Sequence, residues 1–386
     1  MPRRRSNLTR NLLLIGGLVI FLLMTVGPLI ENQFPYDSAA SRWLVWLRSR
    51  VMESMVAAWF FAFGGVVGSF INVVVWRMPR GVSVVGKGSA CPYCTAKIKL
   101  KDNIPIFGWI KLRGRCRVCR LPISPRYPIV ETIFGVVFLV VFLVQLSTAN
   151  GNFPGASRDL STGILRVILF TQWDVVATYA WYMTMLVMLM IWALMAYDRS
   201  RIPIKTVLFA LLVGFGGAWA QPDMQPVKWI DGGDQWFVDL QWLGRIITSV
   251  IGLVSGFLMG ELIDWRFNTK NTQSNGLPAM ATGLMTIGLF AGWQFVCGVV
   301  LLYGLLRSLT FFNRRCRLMP ELGWLALATI VHLCFWRWAH WPVEAFKTVG
   351  GWLPLLWFVI GAALVWCLPI PSPTEAEDNP EIAVAE

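Results

Sequence analysis

Cys91-Pro-Tyr-Cys94 and Cys116-Arg-Val-Cys119, with 21 residues between them, interrupt a chain that is otherwise strongly apolar. Two Cys-x-x-Cys pairs at this spacing fit a four-thiolate zinc site. Each pair sets two soft ligands on one tight knuckle, and two knuckles complete a tetrahedron. Four protein ligands close the coordination sphere, so Cys91, Cys94, Cys116 and Cys119 are expected to hold a structural zinc. Pro79, Pro105, Pro122, Pro125 and Pro128 bar long helices around the pairs, so the loop needs a metal to order it. Lys111, Arg113, Arg115, Arg117 and Arg120 are placed to offset the thiolate charge. The plainer alternatives are a reduced, metal-free cluster or a redox pair.

Outward from this loop the chain reads as membrane helices. Of its 386 residues 56% are hydrophobic, 21 are Trp, and mean hydropathy is +0.58. A span needs roughly 20 apolar residues. Stretches near 11–30, 54–76, 129–147, 176–196, 205–220, 245–264, 278–293, 294–311, 322–340 and 348–368 qualify. The run 278–311 reads as one long helix or two short ones, which makes about nine or ten spans. The expected fold is therefore all-α: a polytopic membrane helix bundle with a small zinc-binding loop.

Charge orients the bundle. Residues 77–128 carry twelve Lys/Arg against one acid, Asp102. The loops around Arg199–Lys205 and after Leu306 are also basic, whereas 221–244 holds Asp223, Asp231, Asp234 and Asp239 against Lys228. The positive-inside rule then puts the zinc loop and both termini in the cytosol, with Arg3, Arg4, Arg5 and Arg10 ahead of an uncleaved first span. Most of the +13 net charge is topological and faces anionic lipid, so the lipid bilayer is a partner and nucleic acid is not. The remaining cysteines, Cys297, Cys316, Cys334 and Cys367, are scattered and read as packing residues rather than ligands. The expected organisation is 1–53, a first span and external loop; 54–147, a unit carrying the zinc loop 77–128; 175–311, a membrane-embedded unit; 312–368, two further spans; and 369–386, an acidic disordered tail with five acids and no basic residue.

The segments flanking the cysteines carry a resemblance. Gly68-Ser-Phe-Ile-Asn-Val-Val-Val-Trp-Arg-Met-Pro79 is followed by Cys91-Pro-Tyr-Cys94 and Asp102-Asn-Ile-Pro-Ile-Phe-Gly-Trp109. Then come Leu112-Arg-Gly-Arg-Cys-Arg-Val-Cys119 and Ile123-Ser-Pro-Arg-Tyr-Pro-Ile-Val-Glu131. Over residues 62–146 these five linked motifs resemble the N-terminal domain of the bacterial type IV prepilin peptidase / N-methyltransferase family. The resemblance implies an aspartic endopeptidase of the cytoplasmic (inner) membrane. It would cleave the leader of type IV pilin or type II secretion pseudopilin precursors and methylate the new N-terminus with S-adenosylmethionine. The alternative is a catalytically inactive relative that binds precursors or serves as an assembly scaffold.

In that family two aspartates act as a carboxylate pair, one as general base on water and the other as acid. One opens a string D-x-x-x-x-x-I-P. Counted back from Ile202-Pro203, its place falls on Ala196, and the acid nearby is Asp198. The other ends G-x-G-D, and its place falls on Met280. The nearest substitutes are Glu261 and Asp264, three apart and so on one face of the preceding helix. Asp198 and Asp264 are the candidate catalytic pair. The plainer readings are an Arg-paired interface carboxylate at Asp198 and a snorkelling or Arg266-paired edge at Glu261 and Asp264. Asn72 is either an inter-helix hydrogen-bonding group or part of the site. Glu131 is expected as a solvated or Arg-paired carboxylate at a helix start.

Overall fold

The computed structural model describes residues 39–85, 88–154, 172–220, 241–267, 277–309, 319–345 and 353–367. The expected span 11–30, the core of the acidic loop and the C-terminal tail lie outside the described residues. Among the described residues every regular element is helical, and β-type pairing is limited to two isolated bridges, Ala90 with Lys97 and Arg115 with Pro122. The helices are α1 (Ala39–Arg77), α2 (Phe107–Lys111), α3 (Arg126–Val141), α4 (Trp173–Tyr197), α5 (Ile204–Ala220), α6 (Gln241–Arg266), α7 (Ala279–Ala291), α8 (Trp293–Ser308), α9 (Glu321–Ala345) and α10 (Leu353–Cys367). A π-helical turn, Phe142–Leu146, extends α3.

Five stretches are long and apolar enough to cross a membrane: Arg42–Arg80, Arg126–Leu146, Trp173–Tyr197, Gly244–Arg266 and Glu321–Ala339. The chain is a multi-pass membrane protein. α5, α7 and α8 are shorter. The ambiguous run 278–311 resolves into two helices that meet at Gly292, whose φ of +84° only a glycine adopts at low cost. α7, with 13 residues, reaches about 20 Å, less than a hydrocarbon core of about 30 Å.

One boundary differs from expectation. Residues 39–53 are helical and continuous with the span after them, so α1 runs for 39 residues. The charged residues there suit a helix surface. Arg50 and Glu53 pair at 2.9 Å across one turn.

Two close helix contacts organise the bundle, each built on small residues that let backbones approach. Gly64 and Gly68 of α1 lie against Phe134, Gly135 and Glu131 of α3. Gly252, Gly256 and Gly260 of α6, spaced by four, lie against Gly288, Leu284 and Ala281 of α7. A Cβ at Gly256 would come within 2.1 Å of the Leu284 carbonyl oxygen. α4 lies between these contacts and buries Tyr182, Leu186, Leu189 and Trp192. The Trp192 indole donates to Thr206 Oγ1 of α5 at 2.9 Å, which keeps its polar atom satisfied inside the core. α9 is bound into the same core: Asn152 donates to the Leu333 carbonyl at 2.9 Å and accepts from the Arg337 backbone at 2.8 Å.

Candidate metal centre and carboxylate site

The two cysteine pairs converge. All four Sγ atoms lie within 4.8 Å of one another, with Cys91 to Cys119 at 3.8 Å and Cys94 to Cys116 at 3.9 Å. A tetrahedron with Zn–S bonds near 2.3 Å has sulfur–sulfur edges of about 3.8 Å. The two knuckles are built alike. Cys91 N–H donates to Ala96 O and Cys116 N–H to Leu121 O, at 3.0 and 2.9 Å. Each knuckle turns at the residue after its second cysteine, Thr95 (φ +55°) and Arg120 (φ +64°). Backbone N–H groups of Cys119 and Val118 face the Cys116 sulfur and favour its thiolate, the form a metal needs. Sulfur donors, spacing and hydrogen bonding all fit zinc. Among the described residues this is the one cluster of metal-binding type.

An ion pair between an exposed arginine and a buried aspartate braces the loop. Arg117 grips Asp102 in a bidentate pair, Nε to Oδ2 at 2.6 Å and Nη2 to Oδ1 at 2.5 Å. The Arg117 guanidinium holds the Asp102 carboxyl below the usual carboxylate range. Arg117 thus serves Asp102, where the sequence had assigned it to offset thiolate charge. Trp109 donates from its indole to Ile123 O at 2.9 Å, and Gly114 (φ +67°) passes beneath the Trp109 ring.

Glu131 departs from expectation. It is 7% exposed and accepts the Ile106 backbone N–H at 2.6 Å. The loop folds back over the start of α3 and covers the carboxylate. Asn72 donates to Tyr127 O at 3.4 Å, the inter-helix hydrogen bond that was one of its two readings.

Asp198 lies at the C-terminal end of α4 and pairs with Arg126 at the start of α3, with guanidinium–carboxylate contacts of 2.7 Å. This matches the Arg-paired reading, but the cation comes from 72 residues away rather than from Arg199 or Arg201. Asp264 is 0% exposed. Its Oδ1 accepts the Met280 N–H at 3.2 Å and its Oδ2 the Ala281 N–H at 3.0 Å. It is neither a snorkelling edge nor a partner of Arg266, which instead donates to Trp366 O at 3.1 Å and lies over the Trp366 ring. The reason is the glycine register of α6: positions 252, 256 and 260 press on α7, and the next position on that face is 264. The carboxylate therefore meets the first turn of α7, where free N–H groups and the helix dipole favour an anion.

A second polar group stands nearby. Glu321 of α9 accepts from the Tyr303 hydroxyl at 2.6 Å and from Arg307 Nε at 3.0 Å, and Arg307 Nη2 lies 2.9 Å from Glu321 Oε1. Arg307 also lies over Phe267, just past the end of α6. Sequence reasoning missed this network, although Tyr303 and Arg307 share a helix face at i, i+4. No comparable signal linked Arg126 to Asp198. No contact in the described residues joins Asp198 to Asp264 directly.

Comparisons with known proteins agree with the metal-bearing half. The Bacterial Peptidase A24 N-terminal domain matches residues 62–145. A prepilin leader peptidase/N-methyltransferase of Myxococcus xanthus is 45% identical over 84 residues, 22% of this chain and 25% of the relative. The type 4 prepilin-like proteins leader peptide-processing enzyme of Escherichia coli O78:H11 is 28% identical over 226 residues, 52% of this chain and 74% of its own length. The prepilin leader peptidase/N-methyltransferase of Aeromonas hydrophila is 25% identical over 327 residues, 77% of this chain and 89% of its own length. No solved structure matches. Identity is thus higher in the short alignment and lower in the long ones. With the linked motifs around the cysteines, residues 62–145 are thus similar to the Bacterial Peptidase A24 N-terminal domain, and the longer stretch of the chain is similar, at lower identity, to prepilin leader peptidase/N-methyltransferases.

Proposed function

We propose that this chain processes the precursors of type IV pilins or pseudopilins at the bacterial cytoplasmic membrane, with the zinc loop on the cytosolic side. The observation that carries the reading is the position of Asp264. Its carboxylate lies against the backbone of Met280, the place where the family pattern puts an aspartate. In this reading α6 offers, beside the start of α7, the carboxylate that α7 lacks.

Asp198 is the proposed partner. One carboxylate takes a proton from the attacking water and the other delivers one to the leaving amine. Both are engaged in this conformation, Asp198 by Arg126 and Asp264 by two backbone N–H groups. Cleavage therefore requires the precursor to draw Asp198 away from Arg126 and toward the α6–α7 junction. A zinc held by Cys91, Cys94, Cys116 and Cys119 would fix the loop that leads into Arg126, a structural role. Methylation of the new N-terminus would use S-adenosylmethionine, which supplies the methyl group.

The test is direct. Membranes containing the chain are incubated with a pilin or pseudopilin precursor, and leader removal is followed by the mobility shift of the product. Cleavage that disappears in Asp264→Asn and in Asp198→Asn supports the reading. Cleavage that survives both substitutions rejects the pair, and no cleavage of any precursor by the unaltered chain rejects the activity.

A further inference from the structure

The zinc loop leaves an apolar groove that no part of the processing reaction uses. It has a volume of about 400 Å³ and is lined by Ile106, Trp109, Ile110, Pro125, Pro128, Ile129, Thr132 and Ile133. Three features of this groove point to its occupant.

The first is continuity with the bilayer. Ile129 and Ile133 are 55% and 48% exposed, and with Val136 they form the outward stripe of α3, a membrane-crossing helix. The groove is the upper end of that stripe. It is roofed by α2, whose Ile110 is 57% exposed beside Ile129 and Ile133. A lipid chain that lies along α3 therefore runs into it.

The second is lining chemistry. The polar side chain within the groove is Thr132, and its hydroxyl already donates to Pro128 O at 2.7 Å. An extended peptide placed there would leave its backbone donors and acceptors buried without partners, which is costly. A hydrocarbon chain has no such groups to satisfy.

The third is charge. Lys111 follows the groove residue Ile110 directly and is exposed, and its Nζ lies 3.5 Å from the backbone carbonyl oxygen of Lys101, itself an exposed residue of the same loop. Lys99, Arg113 and Arg115 are exposed in the same loop. The loop's acid, Asp102, is already held by Arg117. Exposed apolar side chains between exposed cations match an anionic membrane surface.

We infer that the groove between α2 and the start of α3 binds an anionic phospholipid of the adjacent leaflet. One acyl chain lies on Ile110, Ile129 and Ile133, and the headgroup phosphate lies at Lys101 and Lys111. Bound lipid then fixes the zinc loop on the membrane surface. The inference is independent of whether the chain cleaves precursors.

The test uses the full-length protein in detergent, titrated with dioleoyl phosphatidylglycerol or dioleoyl phosphatidylcholine and read by native mass spectrometry. Phosphatidylglycerol is expected to be retained where phosphatidylcholine of the same chains is not. Lys101→Glu with Lys111→Glu is expected to lower that retention by about tenfold or more, since each surface cation contributes about 1 kcal/mol toward an anionic lipid. Ile110→Ser with Ile133→Ser should also lower retention of phosphatidylglycerol, while zinc content stays at wild-type level and reports an intact loop. Equal retention of the two lipids by the wild type, or retention unchanged in both double variants, overturns the inference. A photo-crosslinker at position 110 in membranes decides the occupant. Crosslinks to phospholipid support the inference, and crosslinks to the apolar helix of a precursor protein overturn it.

Discussion

Asp264 caps α7 from a different helix: its Oδ1 accepts the Met280 N–H at 3.2 Å and its Oδ2 the Ala281 N–H at 3.0 Å. Met280, where the resemblance would place an aspartate, thus gives its backbone N–H to a carboxylate of the neighbouring helix. This ties together sequence register, helix packing and the proposed chemistry. α6 carries glycine at 252, 256 and 260, so it approaches α7 closely enough for the next residue on that face to reach the helix terminus.

This arrangement separates a structural role of Asp264 from a chemical one. Asp264→Ala removes the cap and leaves buried N–H groups unpaired, so detergent-solubilised protein should lose about 1–3 kcal/mol of stability in thermal or denaturant unfolding. Asp264→Asn keeps an acceptor and should lose less, yet it should abolish cleavage if the carboxylate does the chemistry. The double change Asp264→Ser with Met280→Asp returns the acid to α7 and should restore cleavage. No recovery in a folded double variant would argue that the α6 carboxylate is only a cap.

The Arg126–Asp198 pair makes a different prediction. It is partly exposed, with side-chain exposures of 36% and 22%, so its contribution to stability is about 0–1 kcal/mol. Arg126→Gln should therefore leave the melting temperature almost unchanged. Asp198→Asn should lower cleavage by about 100-fold or more, the scale of a lost general acid or base. Arg126→Gln, which frees Asp198, should not do so. Equal losses of activity in the two variants would mean that the pair works as a brace between the halves and not as a source of the carboxylate.

For the metal, one zinc per chain is expected by elemental analysis. Cys91→Ser or Cys116→Ser should remove it, since a structural site of this type needs all four thiolates. Chelation should release four thiols to a thiol reagent and make the segment 88–125 sensitive to protease. A metal-free protein that resists protease as well as the wild type would show that the prolines and the Asp102–Arg117 pair order the loop unaided.

That pair also sets an acid limit. Asp102 has its carboxyl held below the ordinary value of 3.8, first by the Arg117 hydrogen bonds. A carboxyl lowered in the folded protein contributes stability above its unfolded value and loses it as pH falls through the folded one. Asp102→Asn should therefore destabilise the loop at neutral pH, and its difference from wild type should shrink below about pH 3.8. The check is loop protection in hydrogen exchange across pH. A difference that stays constant into acid would rule out the ion pair as its source.

The zinc half was legible because its information is local. Cysteine spacing, prolines and basic flanks lie within about 50 residues, and metal geometry leaves few ways to combine them. The helices were legible because lipid forces backbone hydrogen bonds into the segment itself. Some boundaries escaped. Residues 39–53 read as an external loop because Arg42, Arg48, Arg50 and Glu53 lower hydropathy, yet charged residues paired across a turn sit well on a helix that continues beyond the bilayer. The carboxylate half was less legible because its contacts are non-local. Arg126 and Asp198 are 72 residues apart, and nothing in either neighbourhood names the other. Asp264 could have been given a cap role from the glycines at intervals of four before it, but only with knowledge of which helix those glycines face.

Glu131 and Ile106 supply the last prediction. Ile106 has φ +62° and ψ −56°, with Phe107 N–H bonded to Pro105 O at 2.6 Å, a γ-turn that a β-branched residue adopts only under constraint. The constraint is Glu131, which accepts the Ile106 N–H from beneath the loop. Gly108 follows at a place where a Cβ would lie 2.1 Å from the Asp102 carbonyl oxygen, so the chain cannot relax in that direction. Ile106→Gly should relieve backbone strain of about 1–3 kcal/mol and stabilise the loop, since glycine accepts positive φ freely. Glu131→Ala should loosen it by leaving a buried N–H unpaired and the strained turn unheld. In the double variant, Ile106→Gly should recover part of what Glu131→Ala loses, because a turn without strain needs less holding. Protease half-life of the loop in detergent measures all three. Strictly additive effects would mean that Glu131 acts on the α1–α3 packing around Gly68 and not on the turn.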